Sequence, residues 1–480
     1  MRPAWFEPNP WMKRDRPMDE IERRDSRPPS TETIEWHLTF AAEAYLPSHS
    51  AYLSSRLREL GWSQRRWSPA SSEDLVLRMR QGTLGGSWAT LKTLLPVVPT
   101  FDVFQDRQAD TLPDGASAVQ LWLWSATPSL TLLVAGVEWD ETRGEALDRI
   151  AKSDYPSIAV PSGNGYSMYT PVYHKKLEAE NCRRRTHREV ASWLRERVPG
   201  AFADLNAPVP ILDVITAALS RPYTEDASGI SDYRKVLGIE QPFEVGTSPS
   251  FPAWTLALAD RDSPGVLSLG ARTIDAVESV ERINGRVEET RWQLMQHFGS
   301  ELLGLLSGWT TLSLLDAFQA YFSTTRDRAR GGNESLRAFA GRLSTDEMAV
   351  LRRGSDVSAL CVDVETWPPD YGPAVLFRNL DFTINDRFDR TYDLRESWQA
   401  RLKENAENVA RSERDERQRL STSAEVLGLA QNVRVQWQIR ALTLALLIAA
   451  VLTIALTVLS LRHGGDSTPS PAPVPTTTPQ

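Results

Sequence analysis

The sequence predicts an α+β protein. An N-terminal, mainly antiparallel sheet-plus-helix domain is followed by a second mixed α/β domain, then by a long charged helix leading into a single C-terminal transmembrane helix. Three observations carry this expectation. Apolar and polar residues alternate in several short runs of the first third of the chain, which is the period of a strand. Helical spacing of apolar residues dominates from about Thr273 onward. Finally, the 21 residues from Ala441 to Leu461 contain no charge.

Residues 1–30 are rich in charge and proline and read as a flexible lead. Residues 31–155 form the first expected domain. Ile34, Trp36, Leu38 and Phe40 alternate with Glu35, His37 and Thr39, the pattern of a half-buried strand. A helix is expected from Ser50 to Leu60, stopped by Gly61. Leu75, Leu77 and Met79 alternate with Val76, Arg78 and Arg80 and read as a second strand. Val119, Leu121 and Leu123, then Leu130 to Val137, form two strands joined by the turn residues Ser125 to Ser129. That gap is too short for a helical crossover, so the pair is antiparallel. Thr142 to Ile150 reads as a helix.

The segment 156–174 lacks periodicity and gathers Pro, Ser and Gly, the composition of a linker. The second domain, 175–390, opens with a basic helix from Lys175 to Val198, in which eight Lys/Arg face four Glu. Strands are expected near Trp254–Leu258 and Val266–Leu269. A helical zone follows, with Val277, Val280, Val287, Leu294, Phe298 and Leu302 on its apolar face. It ends in Leu302 to Phe322, whose Asp316 and Gln319 favour a core helix over a membrane span. From 391 to 440 the chain has no proline and one glycine. Between Asp393 and Arg419, seven acids and seven bases interleave, many at i,i+4, which supports a solvated helix. Leu394, Trp398, Leu402 and Val409, then Leu420, Leu427 and Trp437, give it a sparse coiled-coil seam.

At ~1.5 Å per residue the run 441–461 would be about 31 Å long, which matches the ~30 Å hydrocarbon layer of a bilayer. Arg411, Arg414, Arg417, Arg419, Arg434 and Arg440 precede it, whereas Arg462 is the one arginine that follows. The positive-inside tendency places the N-terminal bulk in the cytoplasm and the Pro/Thr-rich tail 462–480 outside the cell membrane. No apolar stretch of signal-peptide length opens the chain. Ala441, Ala445, Ala449, Thr453 and Thr457 recur every fourth residue, a face on which two such helices can approach closely. Homo-oligomers through this face are one expectation.

The charge balance, 62 acids against 54 bases, gives −8 and excludes a nucleic-acid binder held by a basic field. Two cysteines, Cys182 and Cys361, exclude a disulfide scaffold and a four-thiolate zinc site. There is no Gly-Lys pair for a phosphate loop and no HExxH. Ser63 and Ser87 lack the full GxSxG turn. Cys361 sits in an apolar run of strand character, where a buried inert thiol is expected. Cys182 is flanked by Arg183, Arg184 and Arg185, a basic setting that lowers a thiol pKa. Arg183, Arg184, Arg185 and Arg188 are the candidate contacts to an acidic partner or to anionic lipid. Asp363, Glu365, Asp370, Asp381, Asp386 and Asp389 match no EF-hand spacing and read as surface acidity. No catalytic residue, cofactor or metal site is expected, and the chain reads as non-enzymatic.

Several segments resemble the CATRA (caspase/TPR-repeat-associated) family of bacterial conflict systems: Trp193 with VPGAFA at 198–203, SDYRKVLGI at 231–239, PAWTLAL at 252–258 and PGVLSLG at 264–270. The similarity covers most of the chain. It implies a membrane-tethered accessory or sensor component of a defence or cell-death system, acting with a separate caspase-like protease that carries the chemistry. The alternative, from a different class, is a membrane effector that oligomerises and perturbs the bilayer.

Overall fold

The computed structural model describes residues 28–62, 76, 80, 88–98, 107–162, 165–219, 244–248, 251–258, 266–284, 294, 302–330, 350, 353–366, 376–379 and 392–463. The chain divides into two units. One comprises Met1–Arg330 and Leu351–Arg414, the other Gly331–Val350 and Asp415–Gln480.

The first unit is organised around β1 (Ile34–Tyr45). Every residue of this strand except Glu35 is buried, so both of its faces are covered and the expected half-buried strand is corrected to a central one. It pairs antiparallel with β5 (Leu130–Trp139) on one side and with β8 (Ile211–Ala217) on the other. Beyond β5 the sheet continues through β4 (Ala116–Thr127) and β2 (Trp88–Leu95) to β3 (Arg107–Ala109). Beyond β8 it continues through β11 (Val266–Arg272), β10 (Phe251–Leu258), β9 (Glu244–Ser248) and β12 (Leu376–Asn379) to β13 (Tyr392–Asp393). Among the described residues this makes one mixed sheet of eleven strands, with β8–β11 and β2–β3 parallel and the other neighbours antiparallel.

One sheet therefore draws strands from both expected domains, 31–155 and 175–390. The segment 156–174, expected as a linker, holds an antiparallel hairpin of its own, β6 (Ile158–Ser162) with β7 (Gly165–Tyr169). The β4–β5 pair forms as expected, and Pro128 and Ser129 make its two-residue turn. The strand expected over 75–80 is not seen at its described positions: Val76 and Arg80 are helical.

Helix α1 (Ser50–Glu59) ends where the sequence places its stop. Gly61 has φ +70°, a left-handed conformation that lacks a steric cost only for glycine. Gly61 N donates to Arg58 O and Trp62 N to Leu57 O, the paired bonds of a Schellman cap. Trp62 is thereby turned inward and stacks on Trp193 with ring centroids 5.9 Å apart. Two short helices follow β5: α2 (Glu141–Gly144), capped by Asp140 Oδ1 accepting from Arg143 N at 2.7 Å, and α3 (Ala146–Lys152).

Helix α4 (Pro171–Arg197) begins with proline at its first position, where the missing N–H costs nothing. Pro199 follows its end, and α5 (Ala201–Asp204) comes next. Both α4 and α5 pack on β1. Helix α6 (Thr273–Asn284) packs on β8, β10 and β11, and α7 (Leu303–Arg330) packs on β1 and β4. Val287 and Phe298 of the expected apolar zone lie outside the described residues. Leu305, Leu306, Leu312, Leu314, Leu315 and Phe318 of α7 are buried, as a core helix requires.

Helix α8 (353–366) carries Cys361, which is helical and not in a strand as its apolar flanks had implied. Helix α9 (Leu394–His463) runs 70 residues without a break, about 105 Å at ~1.5 Å per residue. Within the first unit its opening turns bury Trp398, Leu402, Ala406 and Val409, spaced by four, four and three. Trp398 packs on Trp309 of α7 with centroids 5.5 Å apart, Asn405 Nδ2 donates to Asp316 Oδ1 at 2.8 Å, and the Cys361 thiol donates to Ala406 O at 3.3 Å. In the second unit the described residues are Val350 and the remainder of α9.

Gly136 of β5 shows how closely the sheet is covered. A Cβ there would lie 2.7 Å from the Trp122 ring and 3.0 Å from Phe40. Gly136→Val is expected to destabilise the fold by about 1–3 kcal/mol, read as a lowered midpoint in chemical denaturation of the detergent-solubilised chain.

Candidate functional site

Two features hold chemistry of note: a buried ionic cluster beneath α4 and the exposed apolar part of α9.

The cluster is centred on Asp213 in β8, whose side chain is completely buried. Thr39 of β1 lies directly across the ladder from Asp213 and its hydroxyl donates to Oδ1 at 2.9 Å. Arg183 and His187 are one turn apart on α4 and share a face. Arg183 Nε and Nη2 donate to Oδ2 at 2.9 and 2.7 Å, and Nη2 also reaches Ser268 Oγ of β11 at 2.7 Å. His187 Nε2 lies 3.0 and 2.8 Å from the two carboxylate oxygens. An ionised carboxylate only accepts, so this nitrogen carries the proton. Trp139 Nε1 donates to Thr39 Oγ1 at 3.0 Å, and Trp36 meets His187 edge-on.

Burial is the largest single influence on Asp213 and raises its pKa. The charges and hydrogen bonds of His187 and Arg183 outweigh it and hold the group at about 2. Both carboxylate oxygens are fully used by donors from β1 and α4. The cluster thus ties one helix and three strands together. Ser268 is bonded to Arg183 and fully buried, which leaves it no proton acceptor from His187 and no access for a substrate. This geometry supports a structural tie and not a nucleophile–base pair.

A second buried carboxylate works differently. Glu43 of β1 accepts from Phe202 N at 2.9 Å and from Ala44 N at 3.1 Å. Burial dominates here and lifts its pKa from 4.5 to about 7 against those two bonds and the charges of Arg195 and His49. Gly200 sits against it: a Cβ there would come within 2.4 Å of Ala44 O. Nearby, His49 and Asp204 pair at 3.1 Å, and the hydrogen bond lowers the Asp204 pKa.

The residues singled out by sequence fall into distinct settings. Of the four arginines expected to meet a partner or lipid, Arg184, Arg185 and Arg188 are exposed, but Arg183 points inward to Asp213. Arg183 is thereby corrected from a contact residue to a core ion pair. Arg184 also pairs with Glu180 at 2.6 Å. The Cys182 thiol is raised, not lowered: its burial exceeds the opposing charges of Arg143, Arg185, Arg149 and Arg183. Cys361 is pushed up to about 12, by burial first. Ser63, Ser87, Asp370, Asp381, Asp386 and Asp389 lie outside the described residues. Asp363 Oδ2 accepts from Ser129 N at 2.6 Å. Among the described residues no group of three or more His, Cys, Asp or Glu is placed to hold a metal ion.

Sequence reasoning missed Asp213 and Glu43, and weighed His187 only as a partner for Cys182, five residues away, whereas its partner is Asp213. The signal was present: a lone acid inside the apolar runs VPILDVIT and TFAAEAY marks a buried charge that must find partners.

The apolar part of α9, Asn432–Ser460, is the one helix among the described residues long and apolar enough to cross a membrane, and none of it is buried. Ala441, Ala445, Ala449, Thr453 and Thr457 are all exposed. Thr453 and Thr457 turn their hydroxyls back to Ala449 O and Thr453 O at 2.8 Å, so neither donor is left unsatisfied on an apolar surface. The class defined by these features is a mixed α+β sheet protein carrying one C-terminal helix of membrane-spanning length. No family model, curated protein or solved structure matches the chain.

Two pH responses of opposite sign follow. Glu43 is raised in the fold, so its contribution is fully present below pH 4.5 and is lost as pH rises through about 7, roughly 3 kcal/mol in all. Glu43→Gln keeps an acceptor for Phe202 N and should remove that slope from denaturation curves recorded between pH 5 and 8. Asp213 is depressed, so its contribution is present above pH 3.8 and is lost as pH falls through about 2. Asp213→Ala leaves Arg183 and His187 buried without a counter-charge and is expected to cost about 3–5 kcal/mol at neutral pH, measured by the same denaturation.

Proposed function

We propose that the chain is a membrane-anchored accessory or sensor protein. Its N-terminal bulk lies in the cytoplasm, its short tail lies outside the cell membrane, and it acts through protein partners and not through chemistry of its own. The observation that carries the reading is the exposed apolar helix. A surface of this length and composition, with none of its side chains covered, is stable in water only at the cost of a very large exposed hydrophobic area. In a bilayer the same helix satisfies its backbone internally and its side chains by solvation in lipid.

Six arginines in the 30 residues ahead of the uncharged run against one behind it support the orientation. Arg184, Arg185 and Arg188 remain as the exposed cationic patch offered to an acidic partner. The partner class, a caspase-like protease of a bacterial conflict system, rests on the resemblance of the four segments given above. The Asp213 cluster, built as a structural tie, agrees with a role in which the soluble unit is a scaffold.

Fractionation tests the anchor. The full chain expressed in bacteria should pellet with membranes, resist high salt and alkaline carbonate, and enter solution with detergent. Protease added to intact spheroplasts should leave the N-terminal bulk undegraded and cleave a tag placed after Gln480. Release by carbonate would overturn the anchor, and cleavage of the bulk would overturn the orientation.

A further inference from the structure

We propose that Arg434, Trp437 and Arg440 form a binding site for the anionic headgroups of phospholipids at the N-terminal edge of the apolar helix. The inference rests on the membrane-anchor reading and deepens it by naming the lipid chemistry that the anchor selects.

Depth is the first argument. The uncharged run of 21 residues, 441–461, is about as long as the hydrocarbon layer is thick. Arg440 and Arg462 stop it from sliding either way, since a guanidinium in the hydrocarbon is costly. Arg440 is thereby held at the hydrocarbon border. Trp437 lies about 4.5 Å and Arg434 about 9 Å further along the axis at ~1.5 Å per residue. The headgroup layer on one side of a bilayer is roughly 5–7 Å deep, so Arg440 sits at its inner edge and Trp437 within it, while Arg434 starts about 2–4 Å beyond its outer edge, from where a long guanidinium side chain reaches back to the headgroup phosphates.

Direction is the second. Residues three apart on a helix are neighbours. At about 100° per residue, Arg434, Trp437 and Arg440 fall within an arc of about 120°, with the indole between the two guanidiniums. All three are exposed, and Trp437 is 68% exposed. An indole with an apolar body and a polar N–H is suited to the headgroup boundary.

Charge is the third. No acidic residue occurs between Glu425 and Asp466. Arg434 and Arg440 therefore have no carboxylate within their own stretch of helix, unlike the interleaved acids and bases of 393–419. Their complement is an anion supplied from outside the helix, and at this depth the available anion is a lipid phosphate or an acidic headgroup. Guanidinium binds phosphate oxygens through paired N–H donors, and each arginine near an anionic surface adds roughly fivefold in affinity.

The test uses the full chain reconstituted into phosphatidylcholine vesicles containing one third phosphatidylglycerol, with trace spin-labelled phosphatidylglycerol or phosphatidylcholine. The fraction of each label immobilised at the protein gives a relative association constant. Wild type should favour the glycerol lipid severalfold. That preference should shrink in molar salt, where the screening length falls to about 3 Å. Arg434→Gln combined with Arg440→Gln should bring the ratio close to one while leaving immobilised phosphatidylcholine unchanged. Equal association of the two lipids with wild type, or an unchanged preference in the double variant, would overturn the headgroup site and leave the anchor standing. Immobilisation of neither lipid would overturn both.

Discussion

A single buried negative charge organises the first unit. Asp213 has no contact with solvent, and an isolated carboxylate in such a place would be neutral or would unfold the strand that carries it. It remains ionised because Arg183, His187 and Thr39 converge on its two oxygens. Those partners come from two distant parts of the sequence, β1 and α4, and Arg183 also reaches Ser268 of β11, so satisfying the charge fixes three relations at once. It fixes the register of β8 against β1, the rotation of α4 about its axis, and, through Ser268, the parallel pairing of β11 with β8. A wrong register of β1 by one residue would turn Thr39 to the opposite face and strip the carboxylate of a donor. Ionic clusters of this kind add little net stability compared with apolar packing, but removing one partner leaves an uncompensated buried charge that costs about 3–5 kcal/mol.

The same economy of partners is seen where α9 begins. Asp316 sits on α7 among apolar residues. Burial raises its pKa, and Asn405 and Arg401 of α9 oppose that rise. Beside it Trp309 and Trp398 pack together, and α8 offers the Cys361 thiol to Ala406 O. The opening turns of α9 therefore have apolar and polar partners within the first unit. The apolar turns of the helix, Asn432–Ser460, are long and apolar enough to cross a membrane, and none of them is buried among the described residues.

Legibility in the sequence varied with how local the deciding force was. The end of α1 at Gly61 and the stop of α4 before Pro199 are decided within a few residues by glycine and proline, and both were readable; the turn expected over Ser125–Ser129 tightened to Pro128 and Ser129, and α4 begins at Pro171, four residues before the expected Lys175. The strand expected over 75–80 failed at Val76 and Arg80 because alternation over six residues cannot separate a strand from a short amphipathic helix. Cys361 was misplaced for a related reason, since the apolar string SALCVDV suits a buried helix as well as a strand. The cluster under α4 was the largest omission. Its residues lie 174, 30 and 26 positions from Asp213, and no spacing rule links them.

The membrane-length helix was determined by the sequence alone. Twenty-one uncharged residues bounded by arginines make a helix long and apolar enough to cross a membrane, and neither property depends on the rest of the chain. Tertiary structure decided which charges face inward. Helix α4 carries eight cations of similar kind, yet Lys175 and Arg183 are buried while Arg184, Arg185 and Arg188 are not. That choice depends on where β8 presents its aspartate. It depends equally on β1 lying between β5 and β8, which joins strands from both expected domains into a single sheet. Both are long-range pairings, and their free energy exists only once distant strands have met.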